Sequence, residues 1–247
     1  MTVINTENEP QKLIKIIETN KDIIDGAHII VAFTAMQKFY KEHNYKIQDI
    51  QNDTHFLKML FILNKYLITL DLPQTIQAFR LLYFFQISSN SNIFQSILQL
   101  IRNSVNDLEL SHIYALFWRL KQMNQNNLTA VIRVALPEVF KAQVKFQIDR
   151  DNIDELIGAL LYMSKENIID QDILEFIMKG FDKCKQEINP LAAKDIYIAL
   201  AKMRDLPDCS ISTLEKVEKV IMENIDFYNL NLKNLILQSL IFKLEKG

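Results

Sequence analysis

Apolar positions recur along this chain at helical spacing, and no stretch shows the strict apolar–polar alternation of a half-buried strand. The segment Asp107 to Met123, DLELSHIYALFWRLKQM, carries the pattern in its clearest form. A small residue followed by a large apolar one, Ala115-Leu116, marks the middle of this helix. The same pair returns as Ala32-Phe33, Ala78-Phe79, Ala159-Leu160, Ala199-Leu200 and, more loosely, Ser239-Leu240. Successive small residues stand 46, 37, 44, 40 and 40 positions apart. That period is too long for one helix and suits a helix pair with two turns, the signature of an α-solenoid. A small residue in mid-helix admits a neighbouring helix closely, while apolar residues at helical spacing fill the seam. The pattern predicts an all-α fold: an α-solenoid of about five helix-turn-helix repeats with a period of roughly 40 residues, forming a single domain over 1–247.

Punctuation places the elements. Residues 1–10 read as an extended lead ending at Pro10, followed by a helix from Gln11 to about Asn20 and another from about Asp25 to Glu42. The polar segment HNYKIQDIQNDT reads as a loop, and Phe56 to Thr69 as a helix apolar nearly all round, as one buried between neighbours must be. Asp71-Leu72-Pro73 stops that helix and starts the next, since Pro is tolerated in a first turn and not in an interior. Further helices are expected over 93–105, 108–123, 127–147, 152–165, 171–186, 191–203 and 212–226. Pro137 should kink or split the 127–147 segment. Ser212 with Glu215 three residues on has the form of a capping box. Residues 229–247 begin a further, unpaired repeat, so the chain reads as a piece of a longer protein.

Composition narrows the alternatives. Only 4 Gly and 5 Pro are present, too few for an all-β chain with many tight turns. No run of about 18 apolar residues free of charge offers a membrane span, and the N-terminus has neither an apolar signal core nor an Arg-rich amphipathic start. Cys184 and Cys209 match no metal-ligand spacing and read as free thiols in a reducing compartment. The net charge of −2 is unevenly spread. Residues 71–150 hold 8 Lys+Arg against 5 Asp+Glu, including five of the six arginines, whereas 151–247 hold 12 against 17. An anionic ligand would bind in the middle third.

Catalytic and cofactor chemistry has no anchor here, and the chain reads as no enzyme. Four scattered glycines make no phosphate loop, and no His-Glu-x-x-His or cysteine pair supplies a metal site. His112 reads as a packed or half-exposed seam residue. The pairs Asp151/Asp154 and Asp170/Asp172 fall at helix starts, where the dipole favours carboxylates. Binding remains. Helical repeats present ladders of side chains on one face, and single-stranded RNA is gripped by Arg/Lys on phosphates with flat or amide side chains on bases. Residues off the core stripe that suit this are Arg80, Tyr114, Arg119, Lys121 and Gln122, with Arg133, Lys141 and Lys145 adding positive charge from the following helix. Gln77 and Trp118 lie on the same helices, although Trp118 reads better as a core or repeat-interface residue.

Three phrases, LELSHIYALFWRLKQM, IDELIGALLYMSKENIIDQDILEFI and AKDIYIALAKMRDLP, resemble in register the helical repeats of the Fas-activated serine/threonine kinase (FASTK) family and, in style, octotricopeptide repeats. The likeness runs over about residues 70–245 and is one of spacing and residue class. It implies a mitochondrial matrix protein that binds single-stranded organellar RNA and supports its processing, stability or translation. Kinase motifs are absent, and this piece departs from the family pattern in near-neutral charge and in ending before any nuclease-like RAP domain, so for this piece the resemblance implies binding and does not carry RNA cleavage. The alternative is a HEAT- or armadillo-like protein–protein scaffold, cytoplasmic and without nucleic acid. RNA binding requires that positive charge gather on one face, and a scaffold requires an exposed apolar patch.

Overall fold

The computed structural model describes residues 9–203, 210–228, 231, 233 and 234. Every regular element among them is helical. The chain divides into two compact units, Met1–Phe140 and Lys141–Gly247.

In the first unit, α1 (Glu9–Thr19), α2 (Gly26–Glu42), the short α3 (Ile47–Gln51) and α4 (Thr54–Tyr66) lead into α5 (Leu72–Phe84), α6 (Asn92–Asn103) and α7 (Leu110–Gln122), followed by α8 (Asn127–Gln147), whose last turns belong to the second unit. Helix α2 packs on α1, α4 and α5, and α5 packs in turn on α6 and α7. The row α2–α5–α7 therefore forms a wall of three helices, with α5 between its neighbours. Its seams hold the predicted small residues: Ala32 and Ala78 are buried, beside Phe33 and Phe79. Phe33, Phe56 and Phe85 cluster where α2, α4 and the end of α5 meet, with Phe33 and Phe85 stacked at 5.2 Å between ring centres. Aromatic pairs at such distances add to the area they bury.

Local chemistry sets the helix starts. Asp25, Asp53 and Asp71 cap α2, α4 and α5 by accepting from backbone N–H groups of their first turns. His28 Nδ1 and Gln74 Oε1 reach back to accept from the N–H of Asp25 and Asp71. His112 does the same for Glu109 at the start of α7, which gives this half-exposed histidine a structural duty. Orphan donors of a first turn are satisfied in this way.

The second unit contains α9 (Ile153–Glu166), α10 (Gln171–Lys183), α11 (Pro190–Lys202) and α12 (Ser210–Glu223). Helix α9 packs on α10 and α11, and α12 packs on α10 and α11, so the four helices form two layers. Ala159 and Ala199 are buried in the α9–α11 seam, where Leu156, Leu160, Ile196 and Leu200 fill the space. Gly180 of α10 lies so close to α9 that a Cβ built there would stand 2.5 Å from Leu156 Cδ2.

Of the two outcomes expected at Pro137, the split does not occur: α8 is one continuous helix through it. Three expectations need correction. The segment read as a loop before α4 contains α3, because Ile50 is buried and pulls a turn of helix with it. The lead is shorter than read, since helix already begins at Glu9. Helix α12 starts at Ser210, so Ser212 lies inside it and is no N-cap. Ser239-Leu240, Cys209 and most of the expected terminal repeat lie outside the described residues.

Candidate functional site

Helical periodicity fixes which side chains of the α2–α5–α7 wall face outward. In α5, burial of Ile76, Ala78, Phe79, Leu81 and Leu82 leaves Gln77, Arg80, Tyr83 and Phe84 on the open side. In α7, burial of Ile113, Leu116, Phe117 and Leu120 leaves Arg119 and Gln122, and in α2 the core residues Phe33, Met36 and Tyr40 leave Gln37 and Lys41. These outward residues line one groove of about 950 Å³, closed along one wall by the turn Gln86–Asn90 and reaching Met123 and Asn124 after α7.

Cross-helix contacts hold the lining in place. Gln77 Nε2 donates to Thr34 Oγ1 at 3.3 Å, and Lys41 Nζ sits 5.4 Å from the centre of the Phe84 ring. The Arg119 guanidinium lies over Tyr83, 5.8 Å from the ring centre, while the Tyr83 hydroxyl donates to Gln122 Oε1. Arg119 Nη1 also donates to the Ala115 carbonyl at 2.7 Å, which fixes the head of the side chain. The turn is itself braced: the Ser89 carbonyl accepts from the amides of Gln95 and Asn126, and the Ser88 hydroxyl accepts from the Asn90 N–H.

Charge in the groove has one sign. Lys41, Arg80 and Arg119 are among its lining residues and no carboxylate is. Partial burial, and then the neighbouring charge of Arg80, pull the pKa of Arg119 below the usual guanidinium value. Both arginines line the same groove, Arg119 half-buried and Arg80 exposed. Cations are favoured in the last turn of a helix, which accounts for Lys41 and Arg119 singly. It does not account for a lining of 17 residues without one acid. Around the cations stand the amides of Gln37, Gln77, Gln122 and Asn124 and the rings of Tyr83 and Phe84.

Of the eight residues singled out from sequence, the groove gathers Arg80, Arg119 and Gln122. Tyr114 turns inward, its ring 6.4 Å from Phe140, and Lys121 lies over Phe117 instead. Arg133 is half-buried on α8 and is not part of the lining. Lys141 and Lys145 belong to the second unit, where Lys145 pairs with Asp172 at 3.9 Å. Trp118 is 42% exposed beside Phe117, so it is no core residue. Lys41, Gln37 and the turn Gln86–Asn90 went unrecognised. Thr34 and Gln77, 43 residues apart, touch across the α2–α5 seam, and the same offset carries Arg80 back to Gln37; the spacing of the small residues does not give that offset.

Among the described residues, no group of His, Cys, Asp and Glu could hold a metal ion, and no helix is long and apolar enough to cross a membrane. Comparison with protein-family models, curated proteins and solved structures finds no match for this chain.

Proposed function

We propose that the chain is a helical-repeat module, an α-solenoid in organisation, that binds single-stranded RNA along the α2–α5–α7 groove and has no catalytic role of its own. The observation that carries this reading is the meeting of Arg80 and Arg119 in a groove that contains no carboxylate. Phosphates supply most of the affinity in RNA binding, and rings and amides beside the cations suit unstacked bases. Tyr83, Phe84 and the four amides provide both. The resemblance to FASTK repeats, and with it a mitochondrial role in RNA processing, stability or translation, agrees with this reading. The test is titration of the full chain into a fluorescent single-stranded RNA at two salt concentrations. Affinity that falls steeply with salt supports the proposal, and absence of binding at low salt removes it.

A second reading, a protein–protein scaffold, is favoured by exposed apolar residues away from the groove. Val131 and Val134 stand one turn apart on α8, the latter 77% exposed, and Leu57 and Phe61 form a similar pair on α4. Such pairs at helical spacing suit a partner helix. Partner binding that survives loss of Arg80 and Arg119 and is lost in Val131→Asp/Val134→Asp would select this reading.

A further inference from the structure

We infer that the groove recognises the phosphate monoester at the end of an RNA strand, seated between the Arg80 and Arg119 guanidiniums. This rests on the RNA reading of the same groove and names which part of the strand it grips. A phosphodiester inside a strand carries one negative charge, whereas a monoester carries about −1.5 to −2 at neutral pH and presents three strong acceptor oxygens. The groove offers a matching excess. Two guanidiniums from adjacent helices share it with Lys41, and among the described residues neither arginine has a carboxylate partner. Arg119 is pre-positioned by its bond to the Ala115 carbonyl and by the Tyr83 ring beneath it, and Tyr83 is in turn held by Gln122. A fixed fork loses little freedom on meeting a phosphate, and guanidinium–phosphate contacts can be bidentate. Ser88 and Ser89 on the adjoining turn add hydroxyl donors to the same wall. The rings of Tyr83 and Phe84 beside the cations offer the terminal base a flat surface, which favours a nucleotide over a phosphopeptide.

The experiment compares one short single-stranded RNA with hydroxyl ends, a 5′-phosphate or a 3′-phosphate, each bound to the full chain and followed by fluorescence anisotropy. The expected result is binding about tenfold or more tighter for one phosphate-ended strand, the gain expected of an added charge-assisted contact. That gain should shrink as pH falls through the second phosphate pKa near ~6. It should be lost in Arg80→Gln and Arg119→Gln, and fall only partly in the Lys variants, with folding checked by thermal melting. Equal affinity for all three strands would overturn the inference and leave the RNA reading standing. No binding to any strand would remove both. Competition by adenosine monophosphate as strong as by the phosphate-ended strand, or tighter binding of a phosphoserine peptide, would overturn the strand-end assignment in favour of a free nucleotide or a protein ligand.

Discussion

The Tyr83 hydroxyl and Gln122 Oε1 meet across 39 residues of chain and tie the last turn of α5 to the last turn of α7. The bond lies at the surface, beside the guanidinium of Arg119. Tyr83→Phe keeps the ring under Arg119 and removes only the bond. We expect it to lower stability by at most about 1 kcal/mol, the usual net worth of one hydrogen bond, in chemical denaturation. Tyr83→Ala should also weaken RNA binding, and equal RNA affinity in the two variants would mean the ring has no part in the site.

Reversing both arginines tests the groove as a whole. Arg80→Glu with Arg119→Glu should abolish RNA binding at every salt concentration, while Arg80→Gln alone should reduce the slope of log affinity against log salt by roughly 0.7, the value for one phosphate contact on a single strand. Arg133→Gln is the control, since that side chain is not in the lining. A slope as steep in the double reversal as in the parent would place the binding surface elsewhere.

Seam packing predicts opposite behaviour for two alanines that share one place in the sequence pattern. Ala159 has no exposed surface, so Ala159→Leu should overpack the α9–α11 seam at a cost of about 1–3 kcal/mol. Ala115 is partly exposed, and Ala115→Leu should stay within about 0.5 kcal/mol of the parent, as surface changes usually do. Denaturation midpoints of the two variants decide it.

Gly180 separates propensity from packing. Alanine there gains about 1 kcal/mol of helix propensity over glycine but pushes on the buried Leu156 methyl, so Gly180→Ala should fall near the parent. Valine adds branched bulk to the same contact and should cost about 1–3 kcal/mol. If Val were as well tolerated as Ala in thermal melts, the α9–α10 approach would be looser than described.

One pH effect has a defined sign. Asp25 accepts from the His28 backbone N–H and its carboxylate lies 2.6 Å from the His28 ring Nδ1; the backbone bond first, and then the ring, hold the carboxyl pKa below the usual 3.8. A depressed folded pKa means that the cap contributes above the unfolded value and is lost as pH falls through the folded one. NMR titration of the Asp25 carboxyl should therefore give a midpoint under 3.8, and His28→Ala should bring it back towards that value. An unmoved midpoint in His28→Ala would leave the backbone bond as the cause.

The sequence carried the helices well because each buried face repeats at helical spacing and most starts have a side chain that bonds the first turn. The reciprocal half of three caps went unread. A search for Ser or Thr followed by Glu passes over Asp25 with His28, Asp71 with Gln74 and Glu109 with His112, although imidazole and amide acceptors serve as well as a carboxylate. The site was half legible. Outward residues of α5 and α7 could be read from the core stripe, but which outward residues meet depends on the offset between neighbouring helices. Aligning Ala32 with Ala78 gives 46, whereas Thr34 and Gln77 touch at 43. Tyr114 failed for a related reason, since it packs against Phe140 of the next helix, which no spacing rule reveals; the contact of Lys121 with Phe117, one turn back on α7, was legible as an i,i+4 pair and went unused.

Because the lining is drawn from α2, α5 and α7, no single helix pair owns the groove. Occupancy and folding then draw on the same free energy. A ligand at 100 times its Kd would add about 2.7 kcal/mol to the stability of the assembled row. Conversely, a nick in the Ser88–Asn90 turn would loosen one wall of the groove. A ligand of this groove would therefore find it only in chains whose three helices have already come together.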